Sequence, residues 1–192
     1  MTLALLGKAL KLMLKGNAVI IEWLTSPIIY GADSEFRDEF LGLAQRVANR
    51  DLVGRHYLHL GERQRRTYFG EGKDVPQKKI FYALRPAAAL RWLRLHPEAA
   101  VAPMHFPTLL DECEPPQDVA EIVQELIAQK MVTRELGSAP LPSAIGSFID
   151  SEFERARALF EKPAVAPSTS AREQAEVFFR SSVRRLAPHT QS

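Results

Sequence analysis

The sequence predicts an all-α protein, a helical bundle with little or no sheet. Three observations carry that prediction. Apolar residues recur at three- and four-residue spacing in one segment after another. Those segments are bounded by Asn, Asp, Gly and Pro where helices start and stop. Strand signals are confined to two short apolar runs, residues 19–21 and 28–30. At 192 residues and 46% hydrophobic content, the chain can bury a real core as one domain or one and a half.

The first helix is expected over residues 3–15. Leu3, Leu6, Leu10, Met13 and Leu14 form its apolar stripe, and Gly16-Asn17 stops it. Lys8, Lys11 and Lys15, with Glu22 further on, interrupt the apolar residues, so no membrane span is expected. No charged segment precedes them as a secretory signal requires. Packing of this amphipathic helix on a neighbour is favoured over membrane-surface binding. An apolar run at 18–24 ends at Thr25-Ser26-Pro27. Asp33 or Ser34 can cap a helix reaching about Asn49, with Phe36, Phe40, Leu43 and Val47 as its buried stripe. The next helix starts near Asp51, with Leu52, His56, Leu60 and Gln64 along one side, and Gly70-Glu71-Gly72 breaks it.

Residues 78–95 form the most informative element. The helix is apolar nearly all round, which predicts burial. It nevertheless carries Lys78, Lys79, Tyr82, Arg85 and Arg91. Buried cations are costly unless paired or given an anion to hold. Pro86 should kink this helix, because proline removes a helical hydrogen bond. At 100° per residue, Lys78, Tyr82, Arg85 and Trp92 fall within about 80° of one another. Such a stripe suits a phosphate with a stacked base or ribose. The competing reading is an internal network with Glu22 or Glu62. Glu22 lies in an apolar segment and is a plausible buried partner for Arg85 or Arg91.

Past His96-Pro97, prolines punctuate a short helix at 106–112. An amphipathic helix follows over 117–131, using Val119, Ile122, Val123, Leu126 and Ile127. A turn at 137–142 precedes a helix over 143–161. Residues 1–162 are expected to form one helical region and 163–170 a linker. A last helix over 171–187 should turn Val177, Phe178 and Val183 inward, and 188–192 should be a disordered tail.

Charge is unevenly spread along the chain. Residues 55–94 hold ten Lys and Arg against Glu62, Glu71 and Asp74, whereas 98–135 hold eight acids against Lys130 and Arg134. Either these are solvated or mutually paired faces, or the basic block meets an anion such as nucleotide phosphate or RNA. The single cysteine, Cys113, excludes a disulfide framework and a cysteine zinc cluster. It fits a reducing, cytoplasmic setting. Acidic neighbours argue against a nucleophilic role for it. His56 and His59 are spaced to share a metal, but no third ligand is spaced to join them. No phosphate-binding glycine loop, GxSxG or HExxH is present. Gly146-Ser147 with Asp150 and Glu152 superficially matches a nucleotidyltransferase signature. On a helix, however, side chains at i and i+2 point apart.

Several stretches taken together resemble a known family. They are residues 7–17, Ile21-Glu22-Trp23-Leu24-Thr25-Ser26-Pro27, His56-Tyr57-Leu58, Lys78-Lys79-Ile80-Phe81-Tyr82-Ala83-Leu84-Arg85-Pro86, Arg91-Trp92 and Pro103-Met104-His105-Phe106. In order and spacing, over roughly residues 7–160, they are similar to the YcgL/RlaP-type predicted nucleotidyltransferases, the RNA-ligase-associated proteins. The resemblance implies magnesium-dependent transfer of a nucleotidyl group from a nucleoside triphosphate, with RNA as the expected acceptor. In that family a small sheet bearing Gly-Ser and Asp-x-Asp precedes the helices. This chain resembles only the helical C-terminal portion, so it is expected to be an N-terminally truncated form with no catalytic residue, no metal ligand and no activity alone.

The resemblance assigns nucleotide or phosphate contacts to Lys78, Lys79, Tyr82, Arg85 and Arg91. In the same reading Arg63, Arg65 and Arg66 extend the surface toward RNA, while Glu22, from its place in an apolar segment, is a structural or site carboxylate. Two alternatives stay open: a non-catalytic helical module that binds nucleotide or RNA, and a protein-interaction module that forms a homodimer through the apolar face of residues 3–14.

Overall fold

The computed structural model describes residues 3–26, 33–70, 74–132, 137–161 and 166–186. The helices in chain order are α1 (Leu3–Leu14), α2 (Ala18–Leu24), α3 (Ser34–Val47), α4 (Arg50–Tyr68), α5 (Gln77–Leu95), α6 (Phe106–Glu112), α7 (Gln117–Val132), α8 (Ser143–Phe160) and α9 (Thr169–Leu186). The all-α expectation is met. The sheet among these residues is a two-residue antiparallel ladder of β1 (Val75–Pro76) and β2 (Ser138–Ala139).

Local chemistry sets the helix ends. Gly16 adopts φ +79°, which L side chains rarely tolerate, and ends α1. The Asn17, Asp33 and Asn49 side chains accept hydrogen bonds from Val19 N, Phe36 N and Leu52 N, capping α2, α3 and α4. The 19–21 run expected as a strand is therefore helical: the Asn17 cap starts a seven-residue turn. The second strand signal, at 28–30, lies outside the described residues.

The side chains bury themselves in two clusters. One is built on α4, α5 and α8, with α6 and α7 against them. The other joins α1, α2, α3 and α9 through Leu6, Leu10, Met13, Ile21, Phe40, Leu43, Ala171 and Ala175. Phe36, Phe40 and Phe178 bring their rings within 5.3–6.1 Å of one another there. The inner stripe of α1, expected to be open for dimerisation, is thus covered by α9. Leu3 and Leu5 remain exposed. Helix α9 begins at Thr169, inside the segment expected to be a linker. It turns Ala171, Ala175 and Ser182 inward, while Val177, expected inside, is 69% exposed. Residues 162–165 and 187–192 lie outside the described residues.

The Leu52/His56/Leu60/Gln64 side of α4 is only partly buried. Val53, Gly54, Tyr57, Leu58 and Gly61 face the core. Gly54 and Gly61 lie two turns apart on one face. A Cβ built at Gly61 would sit 2.4 Å from the Phe153 ring and 3.0 Å from Pro86 Cβ; one at Gly54 would sit 2.6 Å from the Phe160 ring. These glycines let α8 lay its phenylalanine rings directly on the α4 backbone. Helix α5 runs without interruption through Pro86.

Candidate functional site

The burial forced by an almost wholly apolar α5 sets the problem for its cations. Arg85 solves it through α2. Its Nη2 donates to Glu22 Oε1 at 2.8 Å and to the Pro103 carbonyl at 3.2 Å. Tyr57 Oη, from α4, donates to the same Glu22 oxygen at 2.8 Å. Glu22 is buried because α2 is apolar around it, and it comes to rest where the two core clusters meet. Burial, followed by the Glu22 charge and hydrogen bond, holds the Tyr57 phenol well above its ordinary range. His56, beside it on α4, is pushed below its ordinary range, chiefly by burial, although the charge of Glu22 opposes this.

Above this triad lies a cleft of about 210 Å³ between α2, α4 and α5. Glu22, Tyr57, Gln64 and Arg85 supply its polar groups; Leu60, Phe81, Tyr82 and Pro86 supply apolar wall. Whole drug-sized ligands occupy sites of roughly 300 Å³ and more, so this cleft has room for a fragment of such a ligand. Tyr82 is 46% exposed. The Lys79 ammonium sits 4.4 Å from the ring centres of both Tyr82 and Tyr68, and its Nζ donates to Tyr68 Oη at 3.3 Å. That hydrogen bond raises the Lys79 pKa. Lys78 is exposed one residue earlier. Cation, aromatic ring and guanidinium therefore succeed one another from Lys79 through Tyr82 to Arg85.

The other predicted site residues separate from this cleft. Arg91 does not join the stripe. Its Nε and Nη2 donate to the carbonyls of Cys113 and Glu114, both at 2.7 Å, and its Nη1 to Glu152 Oε1 at 3.1 Å. Trp92 is buried, stacks on His96 and donates to Glu112. Arg65 is fastened by two 3.0 Å bonds to Asp150 and by one to the Phe69 carbonyl. Arg63 and Arg66 are exposed on the same helix. Asp150 and Glu152 part as helical geometry requires, Asp150 toward Arg65 and Glu152 into the core.

Magnesium does not fit the described residues. No group of three or more His, Cys, Asp or Glu among them is placed to hold a metal ion, and Glu22, Glu152, Asp150 and Glu62 each face arginine. Cys113 is buried, and its thiol is pushed up to about 11 by burial first; Glu152 and Asp111 add smaller contributions. No described helix is long and apolar enough to cross a membrane.

A family model described as RlaP, "RNA repair pathway DNA polymerase beta family", matches residues 5–181. The chain is similar to "Uncharacterized protein YcgL" of Bacillus subtilis (strain 168), with 29% identity over 150 residues. That alignment covers 78% of this chain and 56% of the relative, so the chain spans little more than half the relative's length. No solved structure matches.

Proposed function

Since the chain belongs to the RNA repair pathway DNA polymerase beta family, we propose that it is the helical, substrate-holding portion of a polymerase-β-like nucleotidyltransferase. The whole protein takes a nucleoside triphosphate and passes its nucleotidyl group to RNA. The observation that supports this reading most is the cleft between α2, α4 and α5, where Tyr82 forms a wall and Lys79 and Arg85 lie one helical turn to either side. A base stacks on the exposed Tyr82 ring, while phosphate oxygens meet Lys78, Lys79 and the edge of Arg85. Arg63 and Arg66, on α4, extend the cationic surface toward an RNA acceptor.

Glu22 and Tyr57 orient Arg85. They do not touch the reacting phosphate. Glu22, Glu62, Asp150 and Glu152 are engaged with arginines, so in this reading the magnesium ligands come from outside the described residues. This chain's own contribution is binding and orientation, and alone it does not catalyse transfer.

The test is calorimetric titration of nucleoside triphosphates into the full chain, its Tyr82→Ala variant and its Lys79→Ala variant. Saturable binding is expected for wild type. Tyr82→Ala should weaken it by about tenfold, the lower part of the range for a lost base–aromatic stack. Absence of saturable binding by wild type, or equal affinity in Tyr82→Ala, overturns the proposal.

A further inference from the structure

A second cationic cluster lies away from the cleft, at the junction of α5 and α8. Its centre is Glu152, buried and 2% exposed. Arg155 Nη1 lies 2.6 Å from Glu152 Oε1, Arg91 Nη1 lies 3.1 Å from the same oxygen, and Arg94 Nη2 is 3.4 Å from both carboxylate oxygens. Three guanidiniums thus converge on one carboxylate. Among the described residues every ion pair of the three ends on Glu152.

Neutralising Glu152 requires one arginine, and Arg91 meets that need, with its remaining donors on the Cys113 and Glu114 carbonyls. Arg94 and Arg155 add two positive charges, and among the described residues no second carboxylate lies within 4.0 Å of either. Like charges held close together oppose folding unless something relieves them. Arg94 Nε is, in addition, buried without a hydrogen-bond partner among the described residues. A buried unpaired donor is costly, and native proteins rarely leave one so. Arg155 is more than half exposed, so one flank of the cluster is open to a ligand.

We infer that Arg94 and Arg155 form an oxyanion site, with Glu152 holding the two guanidiniums in position, and that its ligand is a phosphate group. Planar guanidinium forks suit two oxygens of one phosphate. This site is separate from the cleft. Arg85 and Arg94 are nine residues apart on α5, which places them about 180° apart around the helix and about 13.5 Å apart along it. The inference stands without the nucleotide reading of that cleft. The phosphate belongs either to an RNA backbone or to a free phosphate species, and the experiment separates the two.

The full chain and its Arg155→Ala, Arg155→Glu and Tyr82→Ala variants are titrated with a short single-stranded RNA across a salt series, and with pyrophosphate by calorimetry. Arg155 is exposed enough for its replacements to fold, and thermal melts check this. Arg155→Ala should weaken one of the two ligands by about tenfold, the loss of one charge-assisted hydrogen bond, and Arg155→Glu should weaken it further. Tyr82→Ala should leave pyrophosphate affinity unchanged, so failure of the cleft reading does not touch this result. A fall of about 0.7 in the RNA salt slope of Arg155→Ala identifies a backbone phosphate; weakening of pyrophosphate alone identifies a free species. If neither ligand is weakened by Arg155→Ala or Arg155→Glu, the inference is overturned.

Discussion

Replacing Glu22 by glutamine keeps the shape of the side chain and removes its charge. Oε1 accepts two hydrogen bonds, from Tyr57 Oη and Arg85 Nη2, each 2.8 Å long. A hydrogen bond to a charged group contributes roughly 1.5–3 kcal/mol and a neutral one roughly 0.5–1.5 kcal/mol. The change therefore removes about 1 kcal/mol from the tyrosine bond, and about as much from the Arg85 contact, where the still-charged guanidinium loses its counter-charge. Arg85 retains 23% side-chain exposure and recovers some hydration, which keeps the total near 2 kcal/mol and below the cost of stranding a fully buried ion. With an unfolding entropy of about 2.1 cal/mol/K for each of 192 residues, 2 kcal/mol corresponds to a Tm lower by about 5 °C. Urea titration and thermal melting of Glu22→Gln against wild type measure this. A loss below about 0.5 kcal/mol, too small for two charge-assisted bonds, would refute the claim that this carboxylate fastens α2 to α4 and α5.

Three further outcomes follow from the same geometry. Tyr57 keeps its proton in the fold above the pH, near 10, at which an unfolded chain releases it; the stability it confers is present below that pH and is lost as pH rises. Unfolding free energies from urea titration should therefore fall more steeply above pH 10 in wild type than in Tyr57→Phe, by up to about 1.4 kcal/mol per pH unit, and parallel curves would exclude it. With its thiol at about 11, Cys113 is a thiolate about one part in a thousand at pH 8. It should resist a disulfide reagent in the native protein and react fully in urea; rapid native labelling contradicts the burial. Gly61→Ala gains about 1 kcal/mol of helix propensity, but drives a methyl to 2.4 Å from the Phe153 ring. Overpacking costs about 1–3 kcal/mol, so denaturation should report a net loss, whereas a stabilised variant would mean the contact is loose.

Much of the fold is legible in the sequence, because its helix ends are set by local chemistry. The Gly16 stop and the Asp33 cap depend on neighbours within a few positions, and the apolar stripe of α3 points inward as its spacing says. What fails is information that local pattern does not hold. Residues 18–24 are too short and too uniformly apolar for periodicity to separate strand from helix. On the buried side of α4 a search for large apolar residues finds Val53, Tyr57 and Leu58 but passes over Gly54 and Gly61. The ladder of β1 and β2 joins residues more than sixty positions apart, beyond any local signal.

At the candidate site, the pairing of Glu22 with Arg85 is readable from a lone carboxylate in an apolar segment. Tyr57, the third member, is not, because nothing in its surroundings announces the partner. A helical wheel gives Arg91 an angle but does not say that Glu152 and the Cys113 carbonyl wait on that side. Lys79 lies outside the stripe drawn on the wheel, yet Tyr68 from α4 draws it beside Tyr82.

The paired glycines of α4 and phenylalanines of α8 constrain how this chain can diverge. A relative that acquires a side chain where Gly61 stands must shrink or move the ring at Phe153, and the same bargain links Gly54 to Phe160. Neither helix can drift alone. Among diverging relatives, these two pairs should change together or not at all, and a double replacement such as Gly61→Ala with Phe153→Leu should tolerate what the first change alone does not.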